Sequence, residues 1–233
     1  MLSATPQKGP SLASNDKPNQ HGVLVVGLGR FGSAVADTLD TMDVEVLAVE
    51  RDPNLVELWS KRFPVVQGNV ADPRALEQIG AKDFSAAVVG VGNELEASVL
   101  ITGNLVDLGI TEIWAKAISA EHGRILERIG AHHVVLPESD AGVRVAHSVG
   151  GRMLDYIEVE DGFTIVKMRP PKETHNFTLE KLNLPGSYGV QVIGVKSPGH
   201  AFEYATPETV VRPDDLLVVA GDGELLERFS QRP

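Results

Sequence analysis

A glycine-rich turn near the start of the chain constrains its fold more than any other feature. Four apolar residues at 23–26 run directly into the segment G-L-G-R-F-G at 27–32, and a second apolar run, at 44–49, ends in Glu50. In a strand-turn-helix unit, the first glycine permits the tight turn, the second lets a phosphate approach the backbone, and the third lets the helix pack closely on the sheet. The unpaired amides at the start of the helix favour an anion. The pattern therefore predicts a nucleotide-binding turn, with a purely structural turn as the alternative.

Apolar runs and amphipathic segments alternate through the first two thirds of the chain. Strands are predicted at 23–26, 44–49, 65–66, 86–91, 113–117 and 134–136. Helices are predicted to start near Phe31, Asn54, Pro73, Glu94, Glu121 and Asp140. This alternation is typical of an α/β fold with a Rossmann-like, doubly wound parallel sheet.

The rhythm changes after residue 155, where short β-rich runs are separated by proline and glycine, as at Leu184-Pro185-Gly186. This pattern predicts a second, smaller α+β lobe. Its two predicted helices, at 178–182 and 223–229, are too few to cover both faces of a sheet, so one face is expected to pack on a partner chain. The predicted domains are a disordered tail at 1–20, a nucleotide-binding domain at 21–140, a connecting helix at 141–155 and the C-terminal lobe at 156–233.

Composition restricts the possible partners. The formal net charge of -11 argues against nucleic acid or an anionic membrane surface as the main partner, because either would require clustered lysine and arginine. The absence of cysteine excludes disulfides, thiolate metal sites and thiol catalysis, and it fits a reducing compartment. Neither a run of about 18 apolar residues nor a signal sequence is visible, so no membrane span is expected.

Polar residues follow the second and third predicted strands. Glu50 is predicted to accept hydrogen bonds from ribose hydroxyls, and its charge would repel a 2′-phosphate, although the adjacent Arg51 leaves that ligand open. Asn69, with Val70 beside it, is predicted to line the adenosine side of the site. Asp72 has two interpretations, as a second adenosine contact or as the N-cap of a helix that begins at the following proline.

Three charged residues are candidates for phosphate and cation binding. Arg30 lies within the glycine turn, where its guanidinium can reach a terminal phosphate in bidentate fashion, which favours a nucleotide polyphosphate. Lys116 ends the fifth predicted strand at the same sheet edge and is predicted to pair with a phosphate. Glu138 follows the sixth strand, and a carboxylate near bound phosphates usually needs a cation between them.

The sequence contains no pattern typical of catalysis. A serine nucleophile elbow, a cysteine nucleophile and spaced histidine ligands are all missing, and the adjacent His132 and His133 would face opposite sides of a strand. The C-terminal lobe offers no obvious proton-handling residue, which a two-domain dehydrogenase would need. A non-enzymatic protein is therefore expected. An NAD-dependent oxidoreductase and a ligand sensor with a soluble partner remain as alternatives.

Four segments together resemble the regulator-of-potassium-conductance (RCK) family, and the cytosolic Ktr and Trk potassium-uptake subunits are nearest. They are GLGRFG at 27–32, IWAKA at 113–117, LERIGA at 126–131 and LPESDAG at 136–142. The likeness extends from residue 22 to the C-terminus. Two features depart from the family: Glu50 stands where aspartate is frequent, and the segment at 1–20 has no counterpart.

The resemblance implies a ring of dimers, commonly an octamer, that docks beneath a membrane ion-translocating subunit on the cytoplasmic face and changes shape with the bound nucleotide. Family members respond to ATP/ADP or to NAD(H), and Arg30 and Glu138 favour ATP/ADP, with an NAD(H)-sensing Trk-type regulator as the alternative. The phosphates would be held by Gly27, Gly29, Arg30, Gly32 and Lys116, with Phe31 in the same turn.

The family also implies two further ligands. Glu138 falls on the position that, in the Ktr branch, helps to bind a divalent cation such as Mg²⁺ or Ca²⁺ between paired subunits. The second lobe often binds another effector, such as an ion or cyclic di-AMP, at its dimer interface. The candidate surface here is 192–196 with Pro207.

Overall fold

The structure is a computed structural model that describes residues 22–92, 94–150 and 153–232. The chain divides into two compact units, with the boundary between Pro137 and Glu138. The predicted tail at 1–20 lies outside the described residues.

The N-terminal unit is built on a six-stranded sheet in the order β3-β2-β1-β4-β5-β6, in which all neighbouring strands are parallel. The strands are β1 (Val23–Val26), β2 (Val46–Glu50), β3 (Val65–Gln67), β4 (Ala86–Val89), β5 (Glu112–Lys116) and β6 (His133–Val135). The helices of this unit are α1 (Arg30–Thr41), α2 (Pro53–Trp59), α3 (Pro73–Gln78), α4 (Leu95–Asp107) and α5 (Ala120–Ile129). The predicted doubly wound parallel sheet is confirmed.

The central strand β1 explains why its sequence is continuously apolar. Leu24 and Val26 lie in one buried cluster with residues of α4 and α5, whereas Val25 lies in another with Leu28 and Ala36 of the α1 region. Both faces of the strand are therefore covered, as expected for a parallel sheet between two helical layers. Because the strand order reverses between β1 and β4, a crevice opens at the carboxyl ends of these strands, where ligands of such folds bind.

Helix starts in this unit follow ordinary capping chemistry. The carboxylates of Asp52 and Asp72 accept from backbone amides of α2 and α3, and each cap is followed by a proline in the first helical turn. Ser119 caps α5 in the same way. The N-cap interpretation of Asp72 is confirmed, and its pKa lies below the usual value because Arg74 hydrogen-bonds to it.

The C-terminal unit contains a five-stranded sheet in the order β10-β9-β11-β8-β7, with all pairs antiparallel. Its strands are β7 (Met153–Glu160), β8 (Phe163–Met168), β9 (Val190–Lys196), β10 (Glu203–Tyr204) and β11 (Leu216–Asp222). Its helices are α6 (Pro137–Gly150), α7 (Leu179–Leu182), α8 (Leu184–Tyr188) and α9 (Gly223–Ser230). The predicted α+β character of this lobe is confirmed.

Three local features differ from what the sequence predicts. The helix predicted from Asp140 to about residue 154 is α6, which begins at Pro137 and ends at Gly150. The segment Leu184-Pro185-Gly186 was predicted as a break but forms α8, because proline is well accommodated in a first helical turn. The two-residue strand β10 was not predicted.

Within the part of the chain that the structure describes, no helix has the length and apolarity to cross a bilayer.

Candidate functional site

A cavity of about 610 Å³ lies at the carboxyl edge of the N-terminal sheet. Its volume falls within the range typical of small-molecule sites. The lining brings together nine of the ten predicted cofactor-binding residues: Gly27, Gly29, Arg30, Phe31, Glu50, Arg51, Asn69, Val70 and Lys116. The tenth, Gly32, lies beneath the turn and shapes it.

The geometry of the turn requires glycine at two of its positions. Gly27 has a φ of +89°, a conformation that side chains rarely allow. A Cβ on Gly32 would stand 1.9 Å from the carbonyl oxygen of Gly27, so only glycine lets α1 approach the turn this closely. A Cβ on Gly29, by contrast, would meet no atom within 4 Å, so the backbone there is open toward the cavity. The first amides of α1 have no partner within the helix and suit an anion.

A further glycine closes the turn from the neighbouring strand. Gly90, directly after β4, donates its amide to the carbonyl of Val26 at 2.7 Å. A Cβ on Gly90 would lie 3.0 Å from the Gly27 carbonyl oxygen and 3.2 Å from the Gly32 Cα. Gly90, in the sequence G-V-G at 90–92, thus lets the end of β4 pack against the turn. The sequence had indicated only the glycine-rich segment at 27–32 as part of the site.

Glu50 is only 9% exposed and is fixed by backbone amides. Its Oε2 accepts the Leu28 amide at 2.6 Å, and its Oε1 accepts the amides of Arg51 and Asp52 at 2.7 and 2.9 Å. An ionised carboxylate can accept about four hydrogen bonds, so these three leave room for a ribose hydroxyl. The carboxylate is therefore held rigidly between the glycine turn and the end of β2.

Arg51 forms an ion pair with Glu94, the residue that precedes α4. Arg51 Nη1 donates to Glu94 Oε2 at 2.8 Å, and Nη2 donates to Oε1. The hydrogen bonds and charge of Glu94 raise the pKa of Arg51 above its usual value. Both side chains are partly exposed and line the cavity. The sequence did not identify Glu94 as a site residue, because the two partners are 43 positions apart and share no local pattern.

The loop after β3 provides the wall beyond Glu50. Asn69 is exposed and lines the cavity, while its Oδ1 accepts the Ala71 amide at 3.2 Å. Val70 is 3% exposed and belongs to the apolar core of the unit. Asp72 is not among the cavity residues, so its predicted adenosine contact is wrong for this structure.

Two basic side chains, those of Arg30 and Lys116, line the part of the cavity where phosphates are predicted to bind. Arg30 is exposed at the first position of α1, and within the described residues its guanidinium makes no ion pair. Lys116 is half-buried at the end of β5, and its Cδ and Cε lie about 3.3 Å from where a Cβ on Gly92 would stand. Phe31 lines the same wall and packs on the cluster around Val25.

Glu138 is exposed in the first turn of α6, in the C-terminal unit. Among the residues that the structure describes, no group of three or more acidic or histidine side chains could hold a metal ion. The divalent cation at Glu138 stays a prediction that requires ligands from a second subunit.

A second cavity, of about 510 Å³, lies within the C-terminal unit. It adjoins the predicted effector surface at Val195, and its polar lining includes Ser197, His200 and Arg212. Arg212 Nη1 lies 3.3 Å from Ser197 Oγ, which itself donates to the buried Asp215 at 2.7 Å.

The fold and the cavity define a Rossmann-type protein with a small-molecule cleft at the reversal of strand order and a separate antiparallel lobe. Residues 23–137 match the TrkA-N domain family. The chain is 33% identical over 208 residues to Ktr system potassium uptake protein A of Bacillus subtilis strain 168, covering 88% of this chain and 94% of the relative. It is 31% identical over 210 residues to Ktr system potassium uptake protein C of the same strain, covering 89% and 95%. The chain therefore belongs to the RCK family of Ktr- and Trk-type regulatory subunits.

Solved structures agree at the level of the fold. The crystal structure of the GsuK RCK domain superposes with a TM-score of 0.64 at 19% identity, covering 97% of this chain and 51% of that one. The GsuK channel bound to NAD superposes with a TM-score of 0.66 at 19% identity, covering 95% and 41%. This chain thus spans about half of the first structure's chain and about two fifths of the second.

Proposed function

We propose that this protein is the nucleotide-binding regulatory subunit of a potassium transporter and that it switches ring conformation between ATP and ADP. The observation that carries the proposal is the convergence of the glycine turn, the fixed Glu50 and two basic side chains on one cavity. Its relatives are named as potassium uptake proteins of the Ktr system, which supports the assignment to transport.

The cavity suggests one orientation for the nucleotide. The ribose lies against Glu50, whose remaining acceptor site accepts a hydrogen bond from a ribose hydroxyl. The adenosine side lies along Asn69 and Val70. The phosphates lie over Gly29 and the first amides of α1, with Arg30 and Lys116 on either side. The three charged side chains in this arrangement, Glu50, Arg30 and Lys116, thus match a ligand with one polar sugar and several phosphates.

The γ-phosphate supplies the difference between ATP and ADP. The two ligands share the ribose and the first phosphates, so only contacts to the terminal phosphate can favour one ring shape over the other. A shift from 1:99 to 99:1 requires about 5.5 kcal/mol of differential binding, which several cooperating subunits can share. Arg30 is suited to this contact because a guanidinium binds phosphate in bidentate fashion.

The partner in this proposal is a membrane potassium-translocating subunit, and the protein acts in the cytoplasm at the inner face of the membrane. The proposal includes self-assembly into dimers and an octameric ring. Apolar side chains left exposed in the C-terminal unit support a contact between copies of the chain, without indicating their number. Those on α6 and β7 include Val143, Val145, Val149, Ile157 and Val159.

Two further ligands belong to the proposal. Glu138 supplies one carboxylate oxygen ligand of the kind that Mg²⁺ or Ca²⁺ prefers, and paired subunits would supply two. The second cavity, beside Val195 and Arg212, offers a polar wall for a C-lobe effector such as an ion or cyclic di-AMP.

Calorimetric titration of the purified chain with ATP, ADP, NADH and NAD, with and without Mg²⁺ or Ca²⁺, tests the proposal. We expect cation-assisted preference for ATP. Selective binding of NADH would overturn the ATP/ADP switch in favour of the NAD(H)-sensing regulator, and turnover of the nicotinamide would favour an oxidoreductase.

Arg30→Ala is expected to weaken ATP binding more than ADP binding. Arg124→Ala is the matched control, because Arg124 is an exposed arginine of the same unit that pairs with Glu121 and lies outside the cavity. Equal loss of ATP and ADP affinity in Arg30→Ala would exclude Arg30 as the γ-phosphate contact.

A further inference from the structure

The Arg51–Glu94 ion pair connects the two sides of the cavity. Arg51 follows β2 and Glu94 precedes α4, so the pair joins segments that follow the two strands flanking β1. The contact is bidentate, and both side chains line the cavity. Because bidentate geometry fixes the plane of a guanidinium, Arg51 is held toward Glu94.

This pair lies where Rossmann-type sites distinguish a 2′-hydroxyl from a 2′-phosphate. An acidic residue at the end of the second strand accepts the 2′-hydroxyl, whereas a nearby arginine accommodates a 2′-phosphate. This chain carries both groups in succession, Glu50 and Arg51. Glu50 cannot turn away from the ligand, because three backbone amides hold it. The identity of the accepted nucleotide therefore depends on whether Arg51 is available.

We propose that Glu94 is a specificity-determining residue: by occupying Arg51, it restricts the cavity to adenine nucleotides with an unmodified 2′-hydroxyl and excludes 2′-phosphorylated ones. With Glu94 in place, two carboxylates and one guanidinium line this part of the cavity, and their net negative charge would repel a 2′-phosphate. Without Glu94, Arg51 is released to bind that phosphate. This inference rests on the proposed function of the cavity as a nucleotide site, but it holds for ATP, ADP and NAD alike.

The test compares 5′-AMP with adenosine 2′,5′-bisphosphate as competitors of a fluorescent ADP analogue. The native chain is expected to prefer 5′-AMP. In Glu94→Ala, affinity for the bisphosphate is expected to rise by about 5- to 30-fold, because the phosphate no longer has to displace an exposed carboxylate from Arg51 or approach its charge, while affinity for 5′-AMP changes by less than about threefold. The double variant Arg51→Ala/Glu94→Ala is expected to lose this gain.

Glu96→Ala is the matched control, since Glu96 is an exposed carboxylate in the first turn of the same helix and lies outside the cavity. It changes the net charge equally without releasing Arg51. All variants are expected to fold, because exposed ion pairs contribute little to stability.

Three results would overturn the inference while leaving the proposed function intact, provided that the ADP analogue binds. They are a native preference for the bisphosphate, a gain in Glu94→Ala no larger than in Glu96→Ala, and a gain that survives in the double variant. Failure of the native chain to bind the ADP analogue would overturn the proposed function and this inference together.

Discussion

Removing the carboxylate of Glu50 is expected to destabilise the N-terminal unit, even without a nucleotide. In Glu50→Ala, the buried Leu28 amide loses its acceptor, which costs about 1–3 kcal/mol. The amides of Arg51 and Asp52 belong to exposed residues and are rehydrated, at about 0.5–1.5 kcal/mol each. The sum is a loss of about 2–6 kcal/mol in the free energy of unfolding.

Urea denaturation followed by tryptophan fluorescence measures this loss, because both tryptophans, Trp59 and Trp114, lie in the N-terminal unit. For a chain of this size the smaller value corresponds to a decrease of at least about 4 °C in Tm. Glu57→Ala, which removes an exposed carboxylate of α2, is the control and is expected to change stability by less than about 0.5 kcal/mol. Coincident unfolding curves for Glu50→Ala and Glu57→Ala would refute the structural role of Glu50.

Other perturbations address packing and titration. Gly32→Ala is expected to cost about 1–3 kcal/mol of stability in the same urea assay, because its Cβ would lie 1.9 Å from a carbonyl oxygen; an unchanged midpoint would contradict that close approach. His122 is 1% exposed and burial lowers its pKa, so the native chain is expected to lose stability as the pH falls below about 6.5, where the unfolded chain gains a proton. In His122→Asn, the free energy of unfolding is expected to depend less on pH between pH 5.5 and 7. If the native chain and the variant lost stability equally over this range, His122 would not be the cause. The hydrogen bond from Arg232 lowers the pKa of Glu173, so this carboxylate stabilises the folded chain above about pH 4.5 and its contribution is lost as the pH falls further. In thermal melts across pH 3–6, the Tm of Glu173→Gln is expected to fall less steeply than that of the native chain, and equal slopes would contradict this.

Local patterns were sufficient to predict the fold but only part of the site. The apolar runs that form β1 and β4 are buried on both faces, so their composition alone indicates a covered parallel sheet. The residues of the glycine turn and Glu50 follow a known spacing, which is why they could be predicted as members of one site. The hydrogen bond from the Leu28 amide to Glu50 could not be predicted. Every residue except proline has a backbone amide, so the position of this donor depends on the folded turn and not on which residue stands there.

The residues that were missed depend on contacts between distant segments. Glu94 belongs to the cavity because α4 begins beside the end of β2, and no periodicity in the sequence encodes that neighbourhood. Gly90 could have been identified from its place after a buried strand, since small residues there allow close backbone approach. At Leu184-Pro185-Gly186, composition favoured a turn, but the αL conformation of Asn183 starts a new short helix instead.

The packing of Gly90 against the glycine turn has a consequence for biosynthesis. A chain leaves the ribosome from its N-terminus, so the turn at 27–32 is made well before the strand that abuts it. Val23 of β1 pairs with Ala86 of β4 in the centre of the sheet. Because bringing two such distant residues together has a large loop-closure entropy, this pairing forms late. Lys116 joins the cavity only with β5. A nascent chain stalled before β4 is therefore expected to carry the complete glycine motif and yet be unable to retain a nucleotide.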